Sequence, residues 1–252
     1  MWLHERHNKI LEIARREGKV FTSRLVELFD VSRETVRRDL LEMEEKGDIV
    51  RVHGGAVYPE QQRFPPEPGF ADRLGIHVER KEAIGARAAA LIDPGSIIFV
   101  DAGSTTLLFA KAVLQRQDIK VVTNSYEIAR LMARSGNGQA MLLGGTPHAD
   151  VPANFGEMTL SGIDRFLADY AVISPVGFHQ SRGATDYELH EAEVARAMIH
   201  RSQKCILLCH FEKIGVESRV AVCRPDEVDY LVTDGDEDRH FSLPRGQLIW
   251  AD

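Results

Sequence analysis

The stretch Val31–Leu41, VSRETVRRDLL, constrains this chain most. Ser32 is placed to cap a helix, because its hydroxyl can accept from a free amide of the first turn. Val36, Leu40 and Met43 then recur at i, i+4 and i+7 and form one apolar stripe. Arg33 and Arg37 lie four apart on a different face, with Arg38 beside them and Thr35 also off the stripe. One side of such a helix docks into a small core while the other holds guanidinium groups outward. Arginine reads guanine edges and grips phosphates through paired N–H bonds, so the exposed side suits DNA.

In isolation that pattern is better explained as a solvated amphipathic helix, and the neighbouring segments change the reading. Thr22 to Phe29 has the length of a second short helix, with Thr22 at its N-cap and Leu25, Leu28 and Phe29 inward. Only Asp30 and Val31 separate it from Ser32. Two short helices across a tight turn, the second one basic, define a helix-turn-helix. An earlier helix is expected from Leu3 to Glu17, with Ile10, Leu11, Ile13 and Ala14 inward and Gly18 as its stop. Downstream, Gly47 is a C-cap candidate. Ile49, Val50 and Val52 read as a strand, Gly54-Gly55 as a turn and Ala56 to Tyr58 as the returning strand. This hairpin sits where a winged helix carries its wing, and Arg51 and His53 are placed there to touch phosphate or a groove edge. Residues 1–58 thus read as a winged helix-turn-helix unit.

Residues 59–74 read as a linker, because 59–70 hold four of the ten prolines. Residues 75–252 form the second expected domain. The charge supports the division. Residues 1–58 hold eleven basic and eleven acidic side chains, so the whole net charge of −7 falls on the remainder. That balance fits specific rather than blanket binding of nucleic acid. The polar start MWLHERHNKI and the lack of an apolar run of membrane length point to a soluble cytoplasmic protein with no membrane partner. Three cysteines, Cys205, Cys209 and Cys223, are too few and odd in number for a disulfide framework. Cys205 and Cys209 share one face of an apolar run, and no further ligands stand at metal-binding spacing, so no metal and no cofactor are expected.

In the second domain, strands and helices alternate. A helix from Val78 to Leu91 precedes strands at Ile97–Val100, Lys120–Val122, Met141–Leu143, Tyr170–Ser174, Lys204–Cys209 and Tyr230–Thr233. Between them, helices are expected at Thr105–Leu114, Tyr126–Ala133 and His190–Ser202. Such alternation gives a Rossmann-like, mostly parallel sheet covered on both faces. The fold class is therefore α/β, with a winged helix-turn-helix at the N-terminus. Ligands of such sheets bind beyond the carboxyl ends of the strands. The polar residues gather there, in DAGSTT, TNS, the Gly144-Gly145 pair, PVGF and CHFEK. DAGSTT, Asp101 to Thr106, is the sharpest of these. Gly103 permits close approach, Ser104, Thr105 and Thr106 carry hydroxyls, and free amides at a helix start favour an anion such as phosphate. Asn124, Gly177, Asp186 and Lys213 complete the candidate site, with Lys213 as a cation for that phosphate. Glu191 and Glu193 cannot share a helix face, so at most one of them reaches a ligand. The loop is neither a Walker loop nor a dinucleotide fingerprint.

Residues 21–57, FTSRLVELFDVSRETVRRDLLEMEEKGDIVRVHGGAV, resemble the DNA-binding head of the DeoR family of bacterial transcriptional regulators, and the resemblance extends over nearly the whole chain. It implies a sensor domain similar in fold to phosphosugar isomerases and glucosamine-phosphate deaminases. It also implies a phosphorylated sugar or polyol as effector, binding of which weakens DNA binding. Within the family, the match is closest in flavour to the glycerol-phosphate-responsive branch. Two departures fall at the expected pocket. His210-Phe211-Glu212-Lys213-Ile214 stands where the family carries Asp-x-Ser-Lys-Phe, and Pro175 interrupts ISPVGF.

The expected function is a sequence-specific DNA-binding repressor of sugar or polyol catabolism genes, not an enzyme. Its partners are double-stranded operator DNA, a small phosphorylated effector and further copies of itself, as a dimer or tetramer, because one winged head reads too few bases. The alternative is a sugar-phosphate isomerase or deaminase with an appended head. Asp101, Asp186 and His210 would be its candidate bases, but no pair of them stands in a recognisable catalytic signature.

Overall fold

The computed structural model describes residues 3–17, 19–52, 54–57, 67–116, 118–135, 139–235 and 242–251. Gly18, His53, Tyr58 and residues 59–66 were expected to hold the helix stop, the wing-tip contact, a strand end and most of the linker. They lie outside the described residues. The chain divides into two compact units, residues 1–66 and 67–252.

In the first unit, α1 (Leu3–Glu17), β1 (Lys19–Phe21), α2 (Thr22–Phe29), α3 (Arg33–Glu45), β2 (Val50–Val52) and β3 (Gly55–Val57) follow in order. The strands form an antiparallel sheet in the order β1-β3-β2. Ile10, Ala14, Val20, Leu25, Val36, Leu40, Met43 and Ile49 meet in one core. Ser32 caps α3 as expected, accepting from the Thr35 amide at 3.1 Å. Gly47 ends it at φ +75, with its amide bonded to the Glu44 carbonyl and that of Asp48 to the Met43 carbonyl. That crossed pair of bonds requires a left-handed residue, which glycine supplies without strain.

Two expectations for α2 are corrected. Thr22 is the first helical residue and not its cap. Phe21 holds the cap position in extended backbone, without a side-chain bond. Strand β1 runs straight into the helix, and the Thr22 amide finds its acceptor across the wing, at the Gly54 carbonyl (2.8 Å). Leu28 is exposed, because the buried side of α2 is carried by Leu25 and Phe29, spaced i, i+4. Leu28 and Leu25 are offset by three residues, which turns Leu28 to the rim.

One feature of α3 has no counterpart in the apolar pattern. Asp39, in RRDL, is buried and receives a bidentate pair from Arg6 of α1, with Nη2 to Oδ1 at 2.8 Å. His7 Nε2 approaches the same carboxylate at 3.4 Å. The pair ties α1 to α3, so the orientation of the basic helix rests on a charge withdrawn from water.

The second unit begins with α4 (Phe70–Gly75) and α5 (Val78–Ala89). Residues 67–74, read above as linker, are folded here. Phe70 is buried in the core, and its amide donates to Asp150 Oδ2 at 3.0 Å. Strands β4 (Ile97–Val100), β5 (Lys120–Thr123), β6 (Gln139–Leu142), β9 (Ala168–Ile173), β12 (Ser202–Leu208), β14 (Tyr230–Thr233) and β15 (Gln247–Trp250) form one parallel sheet, in the order β15-β14-β12-β9-β4-β5-β6. Alternate residues feed two cores. Ile98, Val100, Tyr170, Val172, Ile206 and Leu208 face one, while Phe99, Ala171, Ile173, Cys205 and Leu207 face the other. The first core is covered by α5, α6 (Ser104–Val113) and α7 (Tyr126–Arg134), and the second by α9 (Leu189–His200). Cys205, Cys209 and Cys223 are free and buried on the second side, with the Cys205 thiol pushed up by its bond to Cys223 and by burial.

Short pieces complete the unit: β7 (Thr146–Pro147), β8 (Asn154–Phe155), α8 (Glu157–Ile163), β10 (Gly177–His179), β11 (Gly183–Asp186) and β13 (Val220–Cys223). The last three strands make an antiparallel sheet in the order β10-β11-β13, which ends in Asp186.

Removing one partner of a buried pair leaves the other charged and unsatisfied. Asp39→Ala is therefore expected to destabilise the first unit by about 3–5 kcal/mol, against about 1 kcal/mol for the lost cap in Ser32→Ala. Calorimetry of the full chain checks this. The melting transition of the first unit should fall in that ratio while that of the second stays in place.

Candidate functional site

In the first unit the exposed face of α3 is basic at its start and acidic at its end. The side chains of Arg33, Arg37 and Arg38 are exposed, with no ion pair or hydrogen bond among the described residues. Glu42, Glu44 and Glu45 occupy the last turns. The Thr35 hydroxyl shares a bond with Ser32 Oγ at 2.8 Å, so both belong to the cap. Arg51 lies on β2 and is held to Glu44, its amide donating to Oε1 at 3.0 Å and its Nη1 lying 3.5 Å from Oε2. That ion pair is exposed and worth about 0–1 kcal/mol, so a phosphate can outcompete it.

In the second unit the site grows from the contact between α5 and α6. Gly85 lies against α6 so closely that an added Cβ would stand 2.8 Å from the Phe109 nitrogen. One turn earlier on the same face, Lys81 is 4 % exposed. Its Nζ donates to Ser104 Oγ at 3.0 Å and to the Arg73 carbonyl at 2.6 Å. Burial, then the neighbouring Lys213 and Arg73, pull its pKa down to about 8. Ser104 begins α6, whose first amides carry no side-chain cap. A cation, a hydroxyl and a helix start therefore meet at one point. The sequence reading missed Lys81, although the signal was present: a lysine in register with Ile84 and Ala88, on the buried stripe of its helix.

Around this point lie buried carboxyl groups. Asp101 follows β4 and is raised to about 7, chiefly by burial and further by Asp186, while the bond from the Ala102 amide (2.7 Å) works the other way. Asp186 is raised to about 6 by burial and by Glu67. Glu191, at the start of α9, is raised to about 8 by burial and by Asp186 and Asp101. Of the two glutamates weighed above, Glu191 is the one that reaches the site; Glu193 is exposed. Lys213 donates to the Pro175 carbonyl at 2.7 Å and to Glu67 Oε1 at 3.2 Å, and Arg73 grips Glu67 Oε2. His210 is lowered to about 3 by burial and by Lys213, its ring lies 5.3 Å from that of His77, and its buried Nδ1 has no hydrogen-bond partner. Both departures thus border Lys213, Pro175 by giving it a carbonyl and His210 by standing neutral beside it.

Three of the expected site residues make internal bonds or contacts, and a fourth is buried. Thr106 is wholly buried, and its hydroxyl donates back to the Gly103 carbonyl at 3.0 Å. Thr105 is buried in α6. Asn124 Nδ2 donates to the Asn154 carbonyl at 3.3 Å, while its buried Oδ1 has no hydrogen-bond partner among the described residues. Gly177 is required by packing, since a Cβ there would meet the Val216 carbonyl at 2.5 Å. Gly103 has extended backbone that any residue adopts, but a side chain would crowd Thr106 Oγ1 at 3.0 Å. A separate hollow of about 300 Å³ lies at the opposite, amino-terminal ends of the strands, lined by Asp93, Ser96, Asp169, Tyr170 and Lys204. Its groups satisfy one another, as in the 2.7 Å bond from the Tyr170 hydroxyl to Asp93. Among the described residues no cluster of three or more His, Cys, Asp or Glu is disposed to hold a metal, and no helix is long and apolar enough to cross a membrane.

A basic helix in a winged head, and a parallel-sheet domain with a cation and hydroxyl site at its carboxyl edge, define a DNA-binding regulator with a sensor. Two sequence families match: the DeoR C terminal sensor domain over residues 76–235 and the DeoR-like helix-turn-helix domain over residues 6–62. The chain belongs to the DeoR family of transcriptional regulators. It is 33 % identical over 230 residues to the glycerol-3-phosphate regulon repressor of Escherichia coli, covering 91 % of this chain and 90 % of that one. It is 32 % identical to the transcriptional regulator GolR of Listeria innocua (93 % and 91 % covered) and 31 % to the transcriptional repressor GlcR of Bacillus subtilis (93 % and 89 %). Among solved structures, ribose 5-phosphate isomerase A of Methanocaldococcus jannaschii is similar over 53 % of each chain, at 14 % identity and a TM-score of 0.40.

The raised carboxyl groups fix a pH dependence. Their folded pKa values lie above the unfolded ones, so the folded state binds more protons; the stability they contribute is full below about pH 4 and is lost as pH rises through 6–8. Asp101→Asn is expected to stabilise the second unit by about 1–3 kcal/mol at about pH 8 and to give no gain at about pH 4. Thermal unfolding at the two pH values checks this, and an equal gain at both would contradict it.

Proposed function

We propose that this chain is a repressor of sugar or polyol genes that binds operator DNA through α3 and answers to a small phosphorylated sugar or polyol. One observation carries the sensor half: Lys81, almost wholly buried, reaches Ser104 at an uncapped helix start, with Lys213 and Arg73 close enough to depress its pKa. Three cations gathered around a hydroxyl and free amides suit a phosphoryl group, which offers three acceptor oxygens. Asp101, Asp186 and Glu191 lie nearby, raised to about 7, about 6 and about 8, so around neutral pH the set offers both protonated and ionised carboxyl groups to the hydroxyls of a polyol. The relative in Escherichia coli is named for the glycerol-3-phosphate regulon, which makes sn-glycerol 3-phosphate the first compound to try.

On the DNA side, Arg33, Arg37 and Arg38 meet base edges and phosphates, with Ser32, Thr35 and Thr22 at the backbone and Arg51 on the wing. The acidic end of α3 favours entry by its first turns, where helix-turn-helix readers make their base contacts. Two or more copies are required to read an operator. Ligand binding shifts how those copies present their heads.

A second reading has one observation in its favour. Asp101 and Asp186 are raised to about 7 and about 6, as a general base at neutral pH requires. Sustained turnover of a phosphosugar, abolished by Asp101→Asn, would establish it; sn-glycerol 3-phosphate binding without turnover favours the sensor.

Arg37→Ala or Arg38→Ala should weaken binding to DNA selected by the protein from random duplexes by about 1–3 kcal/mol. Full affinity in both variants would mean that a different face of α3 meets the DNA. Lys213→Ala is expected to keep DNA affinity but to need more sn-glycerol 3-phosphate for release. A release curve identical to the wild type would remove Lys213 from the site.

A further inference from the structure

The cations of the sensor site are already occupied from within the chain. Glu67 Oε1 receives Lys213 Nζ at 3.2 Å, and Oε2 receives the Arg73 guanidinium. The three side chains are 13–16 % exposed, so the pairs are largely shielded from water. Glu67 reaches further into the site as well, raising the pKa of Asp186 and Glu191 and opposing the depression of Lys81. A carboxylate thus sits among the groups that an incoming phosphate would need. Its place in the chain is equally specific. Glu67 is the first residue of the second unit, three positions before α4.

We propose that Glu67 is a tethered anion that holds the effector's charge site in the absence of ligand and is displaced by the ligand's phosphoryl group. The inference rests on the phosphorylated-effector reading above. A phosphate dianion carries more charge and more acceptor oxygens than a carboxylate, so it takes the same donors at Glu67's expense. Lys213 and Arg73 cannot serve both anions fully. Displacement frees the first residue of the second unit from its two cations. Occupancy of the site thereby becomes a change in how Glu67 is held, which is a two-state element of the kind that transmits a ligand signal.

The test is calorimetric titration of the full chain with inorganic phosphate and with sn-glycerol 3-phosphate. Wild type, Glu67→Gln and Glu67→Asp are compared, each shown to be folded by circular dichroism. Removing the internal competitor should tighten both ligands about tenfold in Glu67→Gln, with Glu67→Asp in between. The Glu67→Gln protein should also release DNA at correspondingly lower sn-glycerol 3-phosphate. If wild type binds and Glu67→Gln binds equally or more weakly, the tether is overturned while the anion site stands. If Glu67→Gln were poorly folded, a Glu67→Asp affinity equal to or below that of wild type would overturn it likewise. If no chain binds either ligand, the tether and the phosphorylated-effector reading fall together.

Discussion

A lysine ammonium taken almost out of water sets the chemistry of the sensor. Lys81 is brought there because Gly85 lets α5 lie directly on the backbone of α6, and its amine then has Ser104 and the Arg73 carbonyl as partners. An isolated buried cation is costly. Here Glu67 opposes part of that cost, while burial raises the carboxyl groups of Asp101, Asp186 and Glu191 nearby. The parallel sheet explains why all of them meet. Both of its faces are filled by apolar side chains, so polar residues can collect only where the strands run out.

The head uses buried charge differently. Arg6 and Asp39 are matched as a fork and a carboxylate, and their task is geometric: they lock α1 onto α3. The neighbours of Asp39 in sequence, Arg37 and Arg38, are left outside. One short run, RRDL, thus divides into two exposed cations, one internal anion and one core residue.

Much of this was legible in the sequence. The strands Ile97–Val100 and Tyr230–Thr233 are β-branched or aromatic runs with clear bounds, and the cap at Ser32 follows from a single hydroxyl in the right place. What escaped was set by tertiary structure. β1, with three residues, is too short for periodicity to show, and β15, QLIW, is as long as β4 but was missed. Residues 67–74 looked like linker because they follow on from the proline-rich run 59–70, yet burial of Phe70 and the Asp150 bond fold them onto the second unit. In the candidate site, Asp101, Ser104, Asp186 and Lys213 were marked by their place at strand or helix ends. Thr106, Asn124 and Gly177 shared that signal, but their bonds and contacts are internal. Lys81, Arg73 and Glu67 come from segments before the first strand, and only folding brings them to the strand ends.

The central claim is that a phosphorylated small molecule controls DNA binding through this site. The most direct measurement is the affinity of the full chain for its selected duplex, titrated with a panel of phosphorylated sugars and polyols and with the same compounds lacking phosphate. The account predicts release by a phosphorylated compound and no release by its unphosphorylated counterpart. Equal responses to both members of a pair, or no response across the panel, would contradict it.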